Sequence, residues 1–288
     1  MKNYLFAAAI IAIPSSAVAA ENANTLDGFV SASVGYQDNG NNFDDIAPMD
    51  GLEDNSGDVN LAIRGSVAVP LDQDIGLQVD LGHSQEPLNV GYYSGTIKTT
   101  SVATHLFYRG AGKFLVGAIG QVNFNQIGVY SSQIDTKQYF LGGEAQARLN
   151  NLTLTAQAAY RKDDFGSADY KLDGVATTAQ AKYFIDSNWS IAVKGEYSSM
   201  NFDLADLDLE QWRLGVSTER RLASVPVSLF GKFGYGESKA DVAKLHDTRM
   251  MVGIKFHFGS RTLQQRDDSG ASLDPFEGNS IPFVYGPT

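Results

Sequence analysis

Cysteine is absent from this 288-residue chain. That removes disulfides, thiol nucleophiles and cysteine-based metal sites together, and leaves hydrogen bonding and packing to supply the stability. Histidine is scarce, with four in all, and without cysteine so few imidazoles make a zinc site improbable. No apolar run reaches the roughly 18 to 20 residues that a membrane-crossing helix needs, and the mean hydropathy is -0.18, which excludes a helical membrane bundle. Convincing helical periodicity is missing as well. Basic residues are in short supply: 22 Lys and Arg stand against 33 Asp and Glu, giving a net charge of -11 and a pI near 4.7. No basic patch offers itself to a nucleic acid, so that partner is excluded.

What is present begins with a short start carrying Lys2, an apolar run from Tyr4 to Ile13, a Pro14-Ser15-Ser16 break and then Ala17-Val18-Ala19-Ala20. A basic start, a short apolar run and a small-residue cleavage site describe an export signal peptide over residues 1–20, cleaved before Ala20 or Glu21. After it, strand-like segments follow one another at approximately Gly28 to Tyr36, Asp58 to Val69, Ile75 to His83, Ile97 to Arg109, Lys113 to Phe124, Lys137 to Leu149, Leu152 to Tyr160, Gly174 to Ile185, Trp189 to Ser198, Leu209 to Glu219, Val225 to Gly236 and Asp247 to Phe258. These lengths suit tilted membrane-crossing strands.

The connections alternate. Pro70 to Asp74, Gly110 to Gly112, Asn150-Asn151, Asp186 to Asn188 and Arg220 to Ser224 are short; Gln37 to Gly57, Ser84 to Thr96, Asn125 to Thr136, Arg161 to Asp173, Ser199 to Asp208 and Glu237 to His246 are long. A soluble sandwich has no reason to keep such alternation, whereas a membrane barrel has tight periplasmic turns and long external loops. Aromatics on the outward parity fall into two belts, as interfacial rings do. Tyr36, Phe124, Tyr139, Tyr160, Tyr197, Trp212 and Tyr235 lie toward the long loops, and Tyr108, Phe114, Tyr183, Trp189 and Phe258 toward the short turns. Between the belts the outward residues are apolar, as in Leu77-Val79-Leu81.

The last strand, R-M-M-V-G-I-K-F-H-F from Arg249 to Phe258, puts Met250, Val252, Ile254, Phe256 and Phe258 on one face and Gly253, Lys255 and His257 on the other. Gly253, Phe256 and Phe258 at this spacing resemble the closing strand and assembly signal of Gram-negative outer-membrane β-barrel proteins of porin-like type. That resemblance, carried by the signal peptide, the alternation, the belts and the G-I-K-F-H-F ending, implies an all-β fold: one closed antiparallel barrel of about twelve strands spanning residues 21–259. It also implies an outer-membrane location, with lipid, lipopolysaccharide, the barrel-assembly machinery and small hydrophilic solutes as partners, and no cofactor. Residues 260–288 then form a tail on the periplasmic side, expected to be disordered; the alternative is that it folds up into the lumen mouth, with its apolar Ile281-Pro282-Phe283-Val284-Tyr285 end as a plug.

The inward parity gives the pore lining: cations Arg64, Arg109, Arg148, Lys182, Lys194, Arg213, Lys232, Arg249 and Lys255, and acids Asp80, Glu144, Glu196 and Glu219. Nine cations against four acids make a locally positive wall inside an acidic protein, which favours small anions if water fills the lumen. Small inward residues such as Ala62, Ser66, Ala103, Gly117, Gly142, Thr155, Ala192 and Gly215 leave room for a narrow channel; the alternative is an ion-paired plug. The acidic loop Gln37 to Asp58, with Asp38, Asp44, Asp45, Asp50, Glu53, Asp54 and Asp58, is either a solvated surface or a divalent-cation site without EF-hand spacing. Catalysis finds little footing. His83 and Ser84 are adjacent in a strand and point to opposite faces, and only sequence proximity links His246 to Asp241 and Asp247. A diffusion channel is therefore the expectation, a structural or surface-interaction barrel the alternative, and a lipid or peptide hydrolase the third choice.

Overall fold

The computed structural model describes residues 26–42, 58–90, 93–110, 113–129, 132–166, 171–202, 207–240 and 243–277. The leader at 1–20, the carboxylates between 43 and 57 and the apolar end at 281–285 lie outside the described residues.

Twelve antiparallel strands close into one barrel: β1 Asp27–Asn42, β2 Asp58–Pro70, β3 Ile75–Val90, β4 Tyr93–Gly110, β5 Phe114–Val129, β6 Ser132–Leu149, β7 Leu152–Asp164, β8 Lys171–Asp186, β9 Trp189–Phe202, β10 Leu207–Arg221, β11 Val227–Ala240 and β12 Ala243–Phe258. Each strand pairs with its sequence neighbours, and β12 pairs with β1 from Gly28↔Phe258 to Asn42↔Lys244. Closure is what the medium demands, because lipid offers no hydrogen bond to an open edge. At the seam a Cβ on Gly28 would lie 2.5 Å from a ring carbon of Phe258. The terminal aromatic therefore lies over the glycine it pairs with, covering the backbone at the join.

Period-2 alternation decides the faces. Val30, Leu61, Leu81, Leu141, Val252 and Ile254 are exposed on the outer wall, with Tyr36, Phe124, Tyr139, Tyr160, Tyr197, Trp212 and Tyr235 exposed at its long-loop end. Trp212 and Tyr235 touch across the β10–β11 pair at 5.6 Å between centroids. An apolar band between aromatic girdles fits a bilayer with its interfaces. The short turns follow local chemistry: the β6–β7 connection is Asn150-Asn151, and Asn150 takes φ 57°, a left-handed conformation that asparagine tolerates.

The structure departs from the sequence expectation at the long connections. Most of Ser84 to Thr96, Asn125 to Thr136 and Glu237 to His246 continues as paired strand, giving strands of 13 to 18 residues. The cause is inward pairing of polar residues beyond the girdle: Asn123 Nδ2 donates to Gln138 at 3.2 Å and Asn125 Nδ2 to Thr136 at 3.2 Å. These uncharged pairs extend the ladder where a hydropathy pattern ends. Two inward apolar clusters, Leu88-Ile97-Ile127 and Phe165-Leu172-Met200-Leu209, hold the same extended ends together.

Candidate functional site

Downstream of β12 the chain reverses at Gly259, whose φ of +89° lies in the region that favours glycine. A Cβ there would also lie 2.6 Å from the Leu26 carbonyl oxygen. Residues 260–277 then run back inside the barrel from its short-turn end, so the expectation of a disordered tail does not hold over this stretch. Composition could not show this, because the partners of these polar residues are scattered over the inner wall.

The first turn of the segment is a short helix, α1, Leu263–Ser269. Thr262 caps it, accepting from Gln265 N–H at 3.0 Å, and the Gln265 side chain accepts from Arg261 N–H at 2.9 Å. Asp27, at the start of β1, clasps both ends of this turn. One carboxylate oxygen accepts from Ser260 N–H at 2.7 Å and from the Ser260 hydroxyl, and the other accepts from Ala271 N–H at 3.1 Å. Arg221 donates to the Ser260 carbonyl at 2.8 Å.

All thirteen charged residues assigned to the inner wall do face it, and the segment meets most of the cations. Arg266 of α1 donates to Glu219 at 3.2 Å and to His257 Nδ1 at 3.0 Å, while Lys255 donates to Glu219 at 2.7 Å. Asp267 accepts from Thr153 Oγ1 at 2.6 Å and from Lys182 at 2.6 Å. Arg148 donates to the Asp267 carbonyl at 2.6 Å, and Arg109 to the carbonyls of Asp268 and Gly270. Arg64 bridges Asp80 and Asp274, each at 2.7 Å. Glu277 lies 3.9 Å from both Lys194 and Lys232. The segment thus carries four carboxylates and one guanidinium inward, which lowers the wall's excess of five positive charges to two. Asp27, Glu86 and Asp247, with Asp247 at 3.2 Å from Arg213 and 2.7 Å from Arg249 and Glu86 at 3.2 Å from Arg249, more than offset the remaining two.

Burial would raise the Asp274 carboxyl, but Arg64, Lys194, Lys182 and Lys232 outweigh it and hold it well below the usual carboxylate range. Lys194 is the largest influence on Glu277, which with help from Lys232, Arg213 and Arg249 falls to about 2. Asp268 goes the other way, raised by burial more than Arg148 lowers it.

Two apolar side chains anchor the far end of the segment. Leu273 is buried against Phe107 and Leu115, and Phe276 is buried against Ile119, Phe140, Ala159 and Ala176. The Phe276 ring stacks on Phe140 at 5.2 Å and 6°. Beyond this floor, toward the long loops, a cavity of about 280 Å³ remains. Arg64, Lys194, Arg213, Lys232, Arg249, Glu86, Glu196, Asp274 and Glu277 line it, with Gly215 among the small wall residues. Ser66, Ala103 and Ala192 are buried and contribute no open water path.

Several inward contacts escaped the sequence pattern. Phe29, on the same face of β1 as Ser31 and Ser33, lies on the lumen side with Lys255 4.5 Å, Arg64 5.3 Å and Arg266 5.4 Å from its ring centroid, a cation–π hub that a list of charged inward residues leaves out. Arg161, expected in a loop, is buried with both Asp163 oxygens at 3.0 and 2.7 Å. His105, inward by the same parity as the wall charges, bridges Asp80 at 3.3 Å and Glu144 at 2.9 Å.

Among the described residues no cluster of metal-ligating side chains occurs. The His83 ring faces outward with Nδ1 3.0 Å from Thr100 Oγ1, whereas Ser84 is on the inner face. His246 stacks on Tyr235 outside while Asp247 is inside on Arg213 and Arg249. Ser228, His257 and Glu219 do meet, with Nε2 within hydrogen-bond reach of Ser228 and 3.3 Å from Glu219. Arg266, however, donates to Nδ1. The ring proton therefore resides on Nε2, and this imidazole cannot take the serine proton as a nucleophilic pair requires.

No protein-family model matches the chain, and no curated protein matches it in sequence. Solved structures do. The β domain of the Bordetella autotransporter BrkA superposes with a TM-score of 0.52 at 9% identity, covering 81% of this chain and all of that one. The translocator domain of the autotransporter NalP from Neisseria meningitidis gives 0.50 at 11%, covering 83% and 90%. A KdgM porin gives 0.45 at 13%, covering 79% and 99%. Identities this low speak to fold alone, and the fold shared with the two autotransporter domains is the outer-membrane β-barrel. The chain has that fold: a closed antiparallel barrel of twelve strands, with residues 260–277 of its own sequence inside the lumen.

Proposed function

We propose that this protein is a diffusion channel of a Gram-negative outer membrane, exported by its leader and closed from within by its own C-terminal segment. When the segment withdraws, small hydrophilic solutes pass, anions ahead of cations. The observation that carries this is the match between wall and segment: Arg64, Lys182, Lys194 and Lys232 face the lumen and are met by Asp274, Asp267 and Glu277 of a stretch tethered to the barrel through the single turn at Gly259. Withdrawal leaves those cations with fewer counter-charges, and a watery lumen lined by cations concentrates anions.

The outward girdles and the closing strand with Gly253, Phe256 and Phe258 suit lipid, lipopolysaccharide and the barrel-assembly machinery as partners, and transport of this kind needs neither a cofactor nor catalysis. The test is planar-bilayer recording of the refolded full chain beside a chain ending at Gly259. Low conductance in the first and a larger, anion-preferring conductance in the second is the expected result. A barrel that folds without the segment and still passes no ions would instead support a sealed structural or surface-interaction role.

A further inference from the structure

The way the wall holds residues 271–277 is that of a peptide receptor. Gln78 donates to the Leu273 carbonyl at 2.7 Å and accepts from Leu273 N–H at 3.3 Å. Gln121 does the same for Phe276, donating to its carbonyl at 2.8 Å and accepting from its N–H at 2.8 Å. Gln157 donates to the Asp274 carbonyl at 2.8 Å. A glutamine side chain presents one donor and one acceptor side by side, so each of the first two amides pairs with one residue's backbone as a neighbouring strand would. Of the two residues between the pairs, Asp274 has its carbonyl held by Gln157 and Pro275 has no N–H that would require a partner. Backbone pairing of this kind fixes an extended chain and is indifferent to side chains.

Specificity comes from what flanks those amides. Leu273 enters the Phe107–Leu115 pocket, Phe276 lies on Phe140, Asp274 reaches Arg64, and Glu277 faces Lys194 and Lys232. The positions run apolar, acid, any, aromatic, acid, and each but the middle one has a counterpart built into the wall.

We infer that the lumen floor is a binding groove for extended acidic peptides of the pattern apolar–acid–any–aromatic–acid, filled in this structure by the protein's own residues 271–277. A free polypeptide end of the same pattern is its ligand class, and it competes with the tethered segment. The groove is a proposal separate from conduction: it needs only that the segment can leave.

A tethered segment competes at an effective concentration that reaches the millimolar range for a short linker, so the test begins by weakening it. The full chain carrying Leu273→Ala and Phe276→Ala is refolded in detergent and titrated with a fluorescently labelled peptide of sequence Ala-Ser-Leu-Asp-Pro-Phe-Glu, followed by anisotropy. Saturable binding is expected, at least tenfold tighter than to the unaltered chain. Binding should fall tenfold or more when Gln121→Ala or Phe140→Ala is added, and a scrambled peptide of equal charge should not compete. The full chain with Asp27→Asn, which loosens the base of the segment and leaves the groove intact, serves if the double variant does not fold. Absence of saturable binding to either weakened chain, or equal binding of the scrambled peptide, overturns the proposal. Conductance measured on the same samples separates the two claims: peptide binding without any conductance retains the groove and removes the channel, and conductance without peptide binding does the reverse.

Discussion

Replacing Asp27 with alanine tests whether the segment is a separable unit on the barrel. The Asp27 carboxylate is buried and accepts from Ser260 N–H, the Ser260 hydroxyl and Ala271 N–H, so it pins the points where the segment enters and leaves its helical turn. Removing it strands two backbone donors and a hydroxyl. Each buried donor left without a partner costs about 1–3 kcal/mol, but the site lies at the short-turn end, where water can enter the vacated space and recover part of the loss. A net of about 2–4 kcal/mol is therefore expected, and at about 1.4 kcal/mol per tenfold change that raises the open population of the segment roughly 30- to 1000-fold. Hydrogen exchange read by mass spectrometry on peptides covering 260–277 measures this directly, because locally opened amides exchange in proportion to their open population. The strands should keep their protection, since the variant leaves every strand-to-strand pair in place. Unchanged exchange of 260–277 would refute the clasp. Equal loss of protection in the segment and in β1, β2 and β12 would refute separability, because segment and wall would then open as one.

Gly259→Ala should weaken the same closure by a different route, since φ +89° and a Cβ 2.6 Å from the Leu26 carbonyl oxygen strain any other residue there; a cost of about 1–3 kcal/mol would show as faster exchange after residue 259. Phe140→Ala removes the stacking partner of Phe276 and should cost the segment's far end about 3–5 kcal/mol, seen as a rise in single-channel open probability. Lys232→Glu places a carboxylate on the cavity wall beside Glu277 and should shift the anion-to-cation permeability ratio of the open form toward cations; an unchanged ratio would place the selectivity elsewhere. Because Asp274 and Glu277 titrate below the usual carboxylate range, Glu277 at about 2, they stabilise the closed form at all pH values above about 4. That stabilisation fades as pH falls from about 4 toward 2, so conductance at pH 3 should exceed that at pH 7, and a lower conductance would reverse the sign assigned to these pairs.

The barrel itself was legible because lipid enforces a simple code. A strand between two media must alternate, so Leu77-Val79-Leu81 and Met250-Val252-Ile254 declare their outer face, and the inward cations follow by parity alone. The code fails where its premise ends. Above the girdle both faces meet water, so Asn125 and Thr136 looked like loop although their side chains pair across β5 and β6. Phe29 falls inward by parity, but its role as a cation–π hub could not be read locally, because the cations around its ring come from β2, β12 and α1, far away in sequence. The segment was hidden for the same reason. Arg266-Asp267-Asp268 is polar enough to read as solvated, and only the assembled wall supplies Glu219, Lys182 and Arg148 at the right places.

Charge ties these pieces together. A ring of cations facing one another across a narrow lumen is costly unless counter-charge or water reaches them. The seven acids the strands supply, Asp80, Glu144, Glu196 and Glu219 with Asp27, Glu86 and Asp247, are fewer than the nine cations. The chain supplies the missing carboxylates on a tethered strip, where Asp267, Asp274 and Glu277 each meet a different part of the wall. Had these three also been built into the strands, the neutrality would be permanent. Placed on a segment that joins the barrel through one reversed glycine, they make neutrality conditional. Anything that competes for those cations or for the glutamine amides beside them, whether a solute carboxylate or a peptide end, is then chemically coupled to whether the lumen is closed.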